Sequence, residues 1–447
     1  MRCRASRWSS SPSGSCTKKP ALGRCAPSSS RCSSICATPC PSIRRVDRSR
    51  SRSARPASRG KKSQSSPPSP ARTRDPRRRR KIRRSRTRPR IPARRAASVS
   101  APRRAVPSVH ALSREELAEL GQELGMKPFQ LRQLTQWVFE KGLLDVEGAS
   151  NLSKALRARL AERIHFSSHK VLQRAPSSDG STKLLLSLED EERIEMVLIP
   201  EGERCTLCIS SQVGCPVACV FCASGLFGVR RNLAAHEMVE QFARAREELG
   251  KERPLTNLVV MGLGEPMLNL ESLLSALARI SDPEALAFSP RRITVSTAGY
   301  PHRIRAFAER GRGYELAVSL HAADPSLRKQ LVPTAKHEPQ ELVQAAQYYH
   351  RVTGREPTFE YVLLAEKNDG ELQARELVTL LGKVQCKVNL IPWNPVPELV
   401  GELQSPSEER VHRFEDFLRH GGLKVTTRRH RGRDKDAACG QLRLAAE

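Results

Sequence analysis

The sequence predicts an α/β protein, a partial (β/α)6 TIM-like barrel preceded by a small N-terminal helical domain and a disordered basic tail. Three observations predict it. Apolar runs of strand length recur from residue 206 onward, with helical stretches between them. Helix-start signals cluster between residues 112 and 160. Residues 1–110 hold 32 Lys and Arg against 2 Asp and Glu, whereas the remaining residues hold 45 of each. The formal charge of +30 therefore belongs to the first quarter of the chain, and the rest is neutral.

Residues 1–107 are Arg, Ser and Pro with few large apolar side chains, too little to offset chain entropy by burial, so disorder is expected. The run RRRRKIRRSRTRPR (77–90) would condense on phosphates, which suits an RNA-binding arm. An Arg- and Ser-rich, acid-poor segment also fits an organelle transit peptide. A third reading, preferred here, is translated sequence upstream of the native start, because no Met lies between Met1 and Met126. Six cysteines fall in this tail. Cys32, Cys36 and Cys40 resemble a metal site only in spacing, and without folded context they read as composition. No secretory apolar segment and no run of eighteen apolar residues occur, so a reducing, cytoplasmic setting without membrane contact is expected.

The helical domain is expected over residues 108–170. Ser113 and Glu116 form a capping box, with Leu112 and Leu117 as a hydrophobic staple. A second helix should start with Pro128 at its first position, run through Leu131, Leu134 and Val138, and stop at Gly142; a third should cover Leu152 to Leu160. Lys127, Arg132, Lys141, Lys154, Arg157 and Arg159 give this domain a basic face, which serves equally as a solvated surface or an RNA-docking one. A β-hairpin linking segment follows at 171–200, turned by Asp179-Gly180 and leading into RIEMVLIP.

The core is expected over 201–447. Its strands are read as TLCISSQ (206–212), NLVVMGL (257–263), RITVST (292–297), ELAVSLH (315–321), TFEYVLL (358–364) and KVNLIPW (387–393), with a last strand at 424–430. A helix bearing Met238, Phe242 and Leu249 on one stripe separates the first two and ends at Gly250. Continuous apolar runs between helices indicate a parallel sheet buried on both faces. Six units are too few to close an eight-fold barrel, and chemistry is expected at the C-terminal strand ends.

Cys215, Cys219 and Cys222 follow the first strand in a Cys-x3-Cys-x2-Cys loop. Thiols beside a loop make poor core residues, zinc favours four ligands in paired units, and a ferredoxin supplies a fourth Cys per cluster. A three-thiolate loop leaves one iron open to a small molecule.

That spacing, with Phe221 before its last Cys, resembles the signature of radical S-adenosylmethionine enzymes. SSQVGC, RNL, MGLGEP, VSLHA, NLIPWNP and DAACGQL together resemble the adenine-C2 RNA methyltransferases, over roughly residues 111–445. The resemblance implies a [4Fe-4S] cluster held by Cys215, Cys219 and Cys222, and two molecules of S-adenosylmethionine per turnover. It implies methylation of adenine C2 in 23S rRNA and in the tRNA anticodon loop, a flavodoxin or ferredoxin as electron donor, and a monomer. Adenine C2 is electron-poor and cannot attack a sulfonium methyl, so radical chemistry is required and the cofactor carries it.

In this family the methyl first rides on a protein thiol. The resemblance puts that role on Cys439, the resolving thiol on Cys208 and the base that takes the C2 proton on Glu195. Alone, Cys208 reads as a buried strand residue and Glu195 as a solvent-face carboxylate. Gly264 and Glu265 in GLGEP, then Ser296, Ser319, His321 and Asn394, are the matched contacts to S-adenosylmethionine, with Leu320 contributing only backbone; by itself His321 reads as an interior histidine. Cys205 and Cys386 read as small strand residues. Two departures stand out. Leu226 and Phe227 lie where polar residues are expected, and RRHRGRDKDAACGQL is unusually basic before its thiol. Two alternatives remain at this stage, a C8-methylating resistance relative and a non-catalytic iron–sulfur RNA-binding protein.

Overall fold

The computed structural model describes residues 106–250, 253–311, 313–399, 401–428 and 432–442. The expectations for residues 1–105 and for the strand beyond residue 428 lie outside the described residues.

The helical segment forms from local signals. Helix α1, Arg114–Glu123, opens on the expected capping box: the Glu116 N–H donates to Ser113 Oγ at 3.1 Å, and the Ser113 N–H to the Glu116 carboxylate at 2.7 Å. Helix α2, Pro128–Thr135, starts at its proline but ends earlier than expected. One wider π-turn, Gln136–Glu140, carries the chain on towards Gly142. Thr135 Oγ donates back to Leu131 O at 2.9 Å, and the Arg246 guanidinium donates to Phe139 O at 2.7 Å. The wider turn lets consecutive Val138 and Phe139 both face the interior while a cation takes up a freed carbonyl. Helix α3, Lys154–Ala161, is capped by Ser153.

An antiparallel meander follows, β1 Lys170–Pro176, β2 Thr182–Ser187 and β3 Arg193–Glu201, and β3 pairs antiparallel with β4, Arg204–Ile209. The expected strand 206–212 breaks at Ser210. Ser210 Oγ donates to Glu195 O at 2.6 Å and accepts from the Leu263 N–H, and the Ser210 N–H goes to Gln241. The chain then starts a separate two-stranded ribbon, β5 Gln212–Gly214 with β6 Val229–Asn232, which the sequence reading did not anticipate.

From β6 onward strand and helix alternate: α4 Ala235–Leu249, β7 Asn257–Val260, α5 Leu270–Ser281, β8 Ile293–Thr297, α6 Pro301–Arg310, β9 Glu315–Ser319, α7 Pro325–Leu331, α8 Pro339–Thr353, β10 Thr358–Leu363, α9 Glu371–Leu381, β11 Lys387–Pro392, α10 Glu408–His420 and β12 Lys424–Thr427. The large sheet runs β1-β2-β3-β4-β7-β8-β9-β10-β11-β12, parallel from β4 to β12. Among the described residues β12 pairs with β11 alone, and the edge of β4 that would close the ring is taken by β3. The barrel is open, with a seam between β12 and the β3–β4 pair.

One apolar core runs from Val109 and Leu134 of the helical segment to Leu418 and Val425 of the barrel. A second, smaller cluster sits at the C-terminal strand ends, where Val217, Phe221, Trp393 and Val396 pack with the three loop thiols at their margin. Among the described residues no helix is long and apolar enough to cross a membrane.

Candidate active site

The β5–β6 ribbon clamps both ends of the thiol loop, and the Cys215 N–H donates to Gly228 O at 2.9 Å. Inside the loop Ala218 takes φ 54°, a left-handed turn that brings Cys219 back towards Cys215. Gly225 permits it, because a Cβ there would lie 2.7 Å from Ala218 Cα. The loop is tied down by Val220 N–H to Leu331 O at 3.0 Å and by the Trp393 indole to Phe221 O at 2.9 Å. Burial pushes the Cys215 thiol up to about 12 and raises Cys219 and Cys222 as well. Three thiols buried this way ionise only beside a strong cationic centre, which an iron cluster supplies. Among the described residues no set of three His, Cys, Asp or Glu side chains is drawn together as the ligands of one ion would be. Three thiolates in one loop are a donor set that iron–sulfur clusters take.

A cavity opens above the strand ends, lined by the three thiols and by Gly264, Glu265, Ser296, Ser319, His321, Asn394 and Cys439. The lining residues come from several strand ends: Gly264 and Glu265 after β7, Ser296 on β8, Ser319 and His321 at the end of β9, and Asn394 after β11. Gly264, after β7, holds φ 113°, and a Cβ there would come 2.6 Å from Ser211 Oγ. The Glu265 carboxylate is buried and accepts from Thr297 Oγ and the Ala298 N–H, both at 2.7 Å, and from the Met267 N–H at 3.0 Å. Burial nevertheless pushes it up to about 7, so a cationic ligand would favour its charged form. Ser296 and Ser319 face each other at 3.5 Å between their hydroxyls. His321 holds φ 61°, accepts from the Val362 N–H at 3.1 Å and stands edge-on to Phe221; burial drives it down to about 3, a neutral imidazole. Leu320 lies outside the lining, fully buried, its N–H spent on Glu360 O at 2.9 Å.

The segment carrying Cys439 lies across the thiol loop. The Ala223 N–H donates to Gly440 O and Ser224 Oγ to Leu442 O, both at 2.7 Å, while the Asn394 amide donates to Cys439 O at 3.1 Å. The β1–β2 hairpin holds the same segment from the other side, its turn through Gly432 N–H to Asp179 at 2.7 Å and its strand β2 through Lys183 Nζ to Asp436 O at 3.2 Å.

A second cavity, about 470 Å³, fills the seam and is lined by Glu201, Cys208, Asn389, Thr426, Arg428 and Cys439 among others. Cys439 and Asn394 border both cavities. Cys208 is buried, and desolvation pushes its thiol up to about 12. Glu195 lines neither cavity. It is buried rather than solvent-facing and pairs with Lys183 Nζ at 2.9 Å. Because Val197 is the direct partner of Cys208 and Glu195 lies two residues along β3, the carboxylate and the thiol share one face of the sheet.

Sequence reasoning missed three residues here. Thr297, which fixes Glu265, ends an apolar run and carries no motif. Arg328 is fully buried and donates to Leu320 O at 3.1 Å and Ala298 O at 2.5 Å, tying strand ends together. Arg428, hidden in a basic run, places Nη1 3.1 Å from Cys439 Sγ.

An open parallel barrel with a three-thiol loop at its C-terminal strand ends defines a radical S-adenosylmethionine protein, and residues 209–378 match the radical SAM superfamily. Residues 109–165 match the N-terminal domain of the ribosomal RNA large subunit methyltransferases. The probable dual-specificity RNA methyltransferase RlmN of Synechococcus sp. (strain CC9311) is 44% identical over 74% of this chain and 96% of its own length. The dual-specificity RNA methyltransferase RlmN of Syntrophobacter fumaroxidans is 42% identical over 73% and 95%. A crystal structure of a radical SAM methyltransferase from Sphaerobacter thermophilus superposes with a TM-score of 0.71 at 41% identity, covering 75% of this chain and 99% of that one. The chain belongs to the RlmN family of radical SAM RNA methyltransferases.

Proposed function

We propose that this protein methylates C2 of adenosine in 23S rRNA and in the tRNA anticodon loop, relaying the methyl through Cys439. What carries the reading is the position of the Cys439 sulfur, on the boundary between the cavity of the loop thiols and the seam cavity that holds Cys208. Cys215, Cys219 and Cys222 would hold a [4Fe-4S] cluster. Glu265 would meet the ammonium of S-adenosylmethionine, with Gly264, Ser296, Ser319, His321 and Asn394 around the rest of it. When bound, cluster and S-adenosylmethionine together supply a hydrogen-abstracting radical, and a second S-adenosylmethionine supplies the methyl.

The chain's own residues do the remainder. Cys439 accepts the methyl and presents it to the adenine. Glu195 takes the C2 proton, held by Lys183 on the sheet face it shares with Cys208. Cys208 then releases the product by forming a disulfide with Cys439, which the shared cavity allows. The helical segment 108–170 offers its basic face to RNA, a small flavodoxin or ferredoxin delivers electrons, and the protein works in the cytoplasm as a monomer.

The test is anaerobic iron–sulfide reconstitution and assay on protein-free 23S rRNA and tRNA, with the methyl located by nucleoside mass spectrometry. Methyl at C2 that disappears in Cys439→Ala, with the cluster retained, is expected. Methyl at C8, or full activity in Cys439→Ala, would refute the assignment.

A further inference from the structure

Arg428 has no part in the scheme above. It follows β12 directly, and its N–H donates to Leu390 O at 2.8 Å, so its backbone is fixed to the sheet at the seam. Its side chain reaches across the seam cavity to Cys439, 3.1 Å from Nη1 to Sγ. Glu360 of β10, Cys208 of β4 and Glu201 of β3 also face it. Two carboxylates are therefore close by, yet the sulfur is within hydrogen-bonding reach of the guanidinium.

We propose that Arg428 is a catalytic residue of the methyl relay, its guanidinium holding the Cys439 sulfur as methyl acceptor and supplying the counter-charge for its anionic form. This rests on the reading that Cys439 takes the methyl. In that step an S–C bond forms between Cys439 Sγ and the methyl carbon. The methyl–sulfonium bond breaks, its electron pair passing to the sulfonium sulfur. The thiol proton leaves to solvent, to which Cys439 is exposed. A thiolate is far more nucleophilic than a thiol, and a guanidinium N–H 3.1 Å from the sulfur is placed to donate to it while aiming its remaining lone pairs. The charge of Cys439 is the largest influence holding Arg428 above the ordinary arginine range. Held from the sheet, the sulfur has a fixed address even though the segment that carries it is anchored mainly through its backbone.

Two readouts test this without relying on turnover. In cluster-free protein, iodoacetamide labelling of Cys439 is followed by peptide mass spectrometry, with buried Cys386 as the internal folding control. In protein isolated from cells, the methyl on Cys439 is quantified. Arg428→Gln should slow Cys439 labelling about tenfold and lower methyl occupancy in proportion. Arg428→Lys, which keeps the charge, should recover labelling to within about threefold of wild type. Wild-type labelling and methyl occupancy in Arg428→Gln overturn the proposal. So does a Lys variant no better than Gln with Cys386 protected in both, which marks a bracing arginine. If Cys386 labels in the Gln variant, the comparison of Lys with wild type decides, and a Lys variant as slow as unfolded background overturns the proposal. Wild-type Cys439 that never carries a methyl overturns the relay itself, and it does so whatever the labelling rates show.

Discussion

Cys208 and Cys439 make separable predictions because they border the seam from opposite sides. On the proposed scheme Cys208→Ala leaves a methyl acceptor in place but removes the thiol that frees the product. It should accumulate protein covalently joined to RNA, visible as a nuclease-sensitive band on denaturing gels. Clean turnover by that variant would take Cys208 out of the mechanism. Gly264 is a test of fit. Its φ of 113° is one that side chains avoid, and a Cβ would press within 2.8 Å of the Gln212 backbone nitrogen. Gly264→Ala should cost about 2 kcal/mol or more of stability and weaken S-adenosylmethionine binding, both measurable by thermal melts with and without ligand. The thiol motif itself was legible because its three cysteines are seven residues apart at most. Arg428 and Lys183 were not. Arg428 meets Cys439 eleven residues on and Lys183 meets Glu195 twelve residues on, yet both contacts are made only once strands and loops have folded together, and neither residue carries a local mark.

At the scale of elements, one buried carboxylate gathers several of the ties between the helical segment and the barrel. Glu240 on α4 accepts from Ser108 Oγ at 2.7 Å and from the Ser168 N–H at 2.7 Å, while His110 and His169 are buried beside it. Burial holds His110 down to about 4 and lowers His169, against the pull of Glu240; Arg279 and His236 also face His110. His169 and the seryl donors hold Glu240 down to about 2, against the cost of its burial. The signs agree. Histidines kept neutral in the folded state give stability above pH 6.5 that is lost as pH falls towards 4. A carboxylate held low gives stability above pH 4.5 that is lost as pH falls towards 2. Melting temperature should therefore fall steadily below pH 6.5, with His110 alone costing about 2 kcal/mol by pH 5. In His110→Gln that slope should flatten, and an unchanged slope would show that this cluster is not acid-sensitive. Glu240→Ala should lose about 3 kcal/mol at neutral pH, because several buried donors lose their acceptor. The capping box of α1 was readable from four residues, since its geometry is local. The π-turn after α2 was not, because Arg246, a hundred residues on, helps to satisfy its carbonyls.

The molecule as a whole is sharply divided by charge. Residues 1–110 carry all of the net +30, and the catalytic body is neutral. Removing residues 1–105 should flatten the dependence of RNA affinity on salt, since fewer phosphates are neutralised, while leaving the methylation of tightly bound substrate unchanged. Filter binding across a salt series reads the first effect and single-turnover assays the second; an unaltered salt slope would show that the arm does not touch RNA. The parallel strands were legible as apolar runs, and their order follows the chain. Where the ring fails to close was not legible, because it depends on β3 competing for the edge of β4. That missing contact has a topological consequence. A sealed cylinder admits only what can be lowered through its rim, whereas this one is slit lengthwise beside Cys208 and Cys439. A nucleotide in the middle of a long polymer can swing in sideways, with the strand on either side of it passing outside the wall and no free terminus needed.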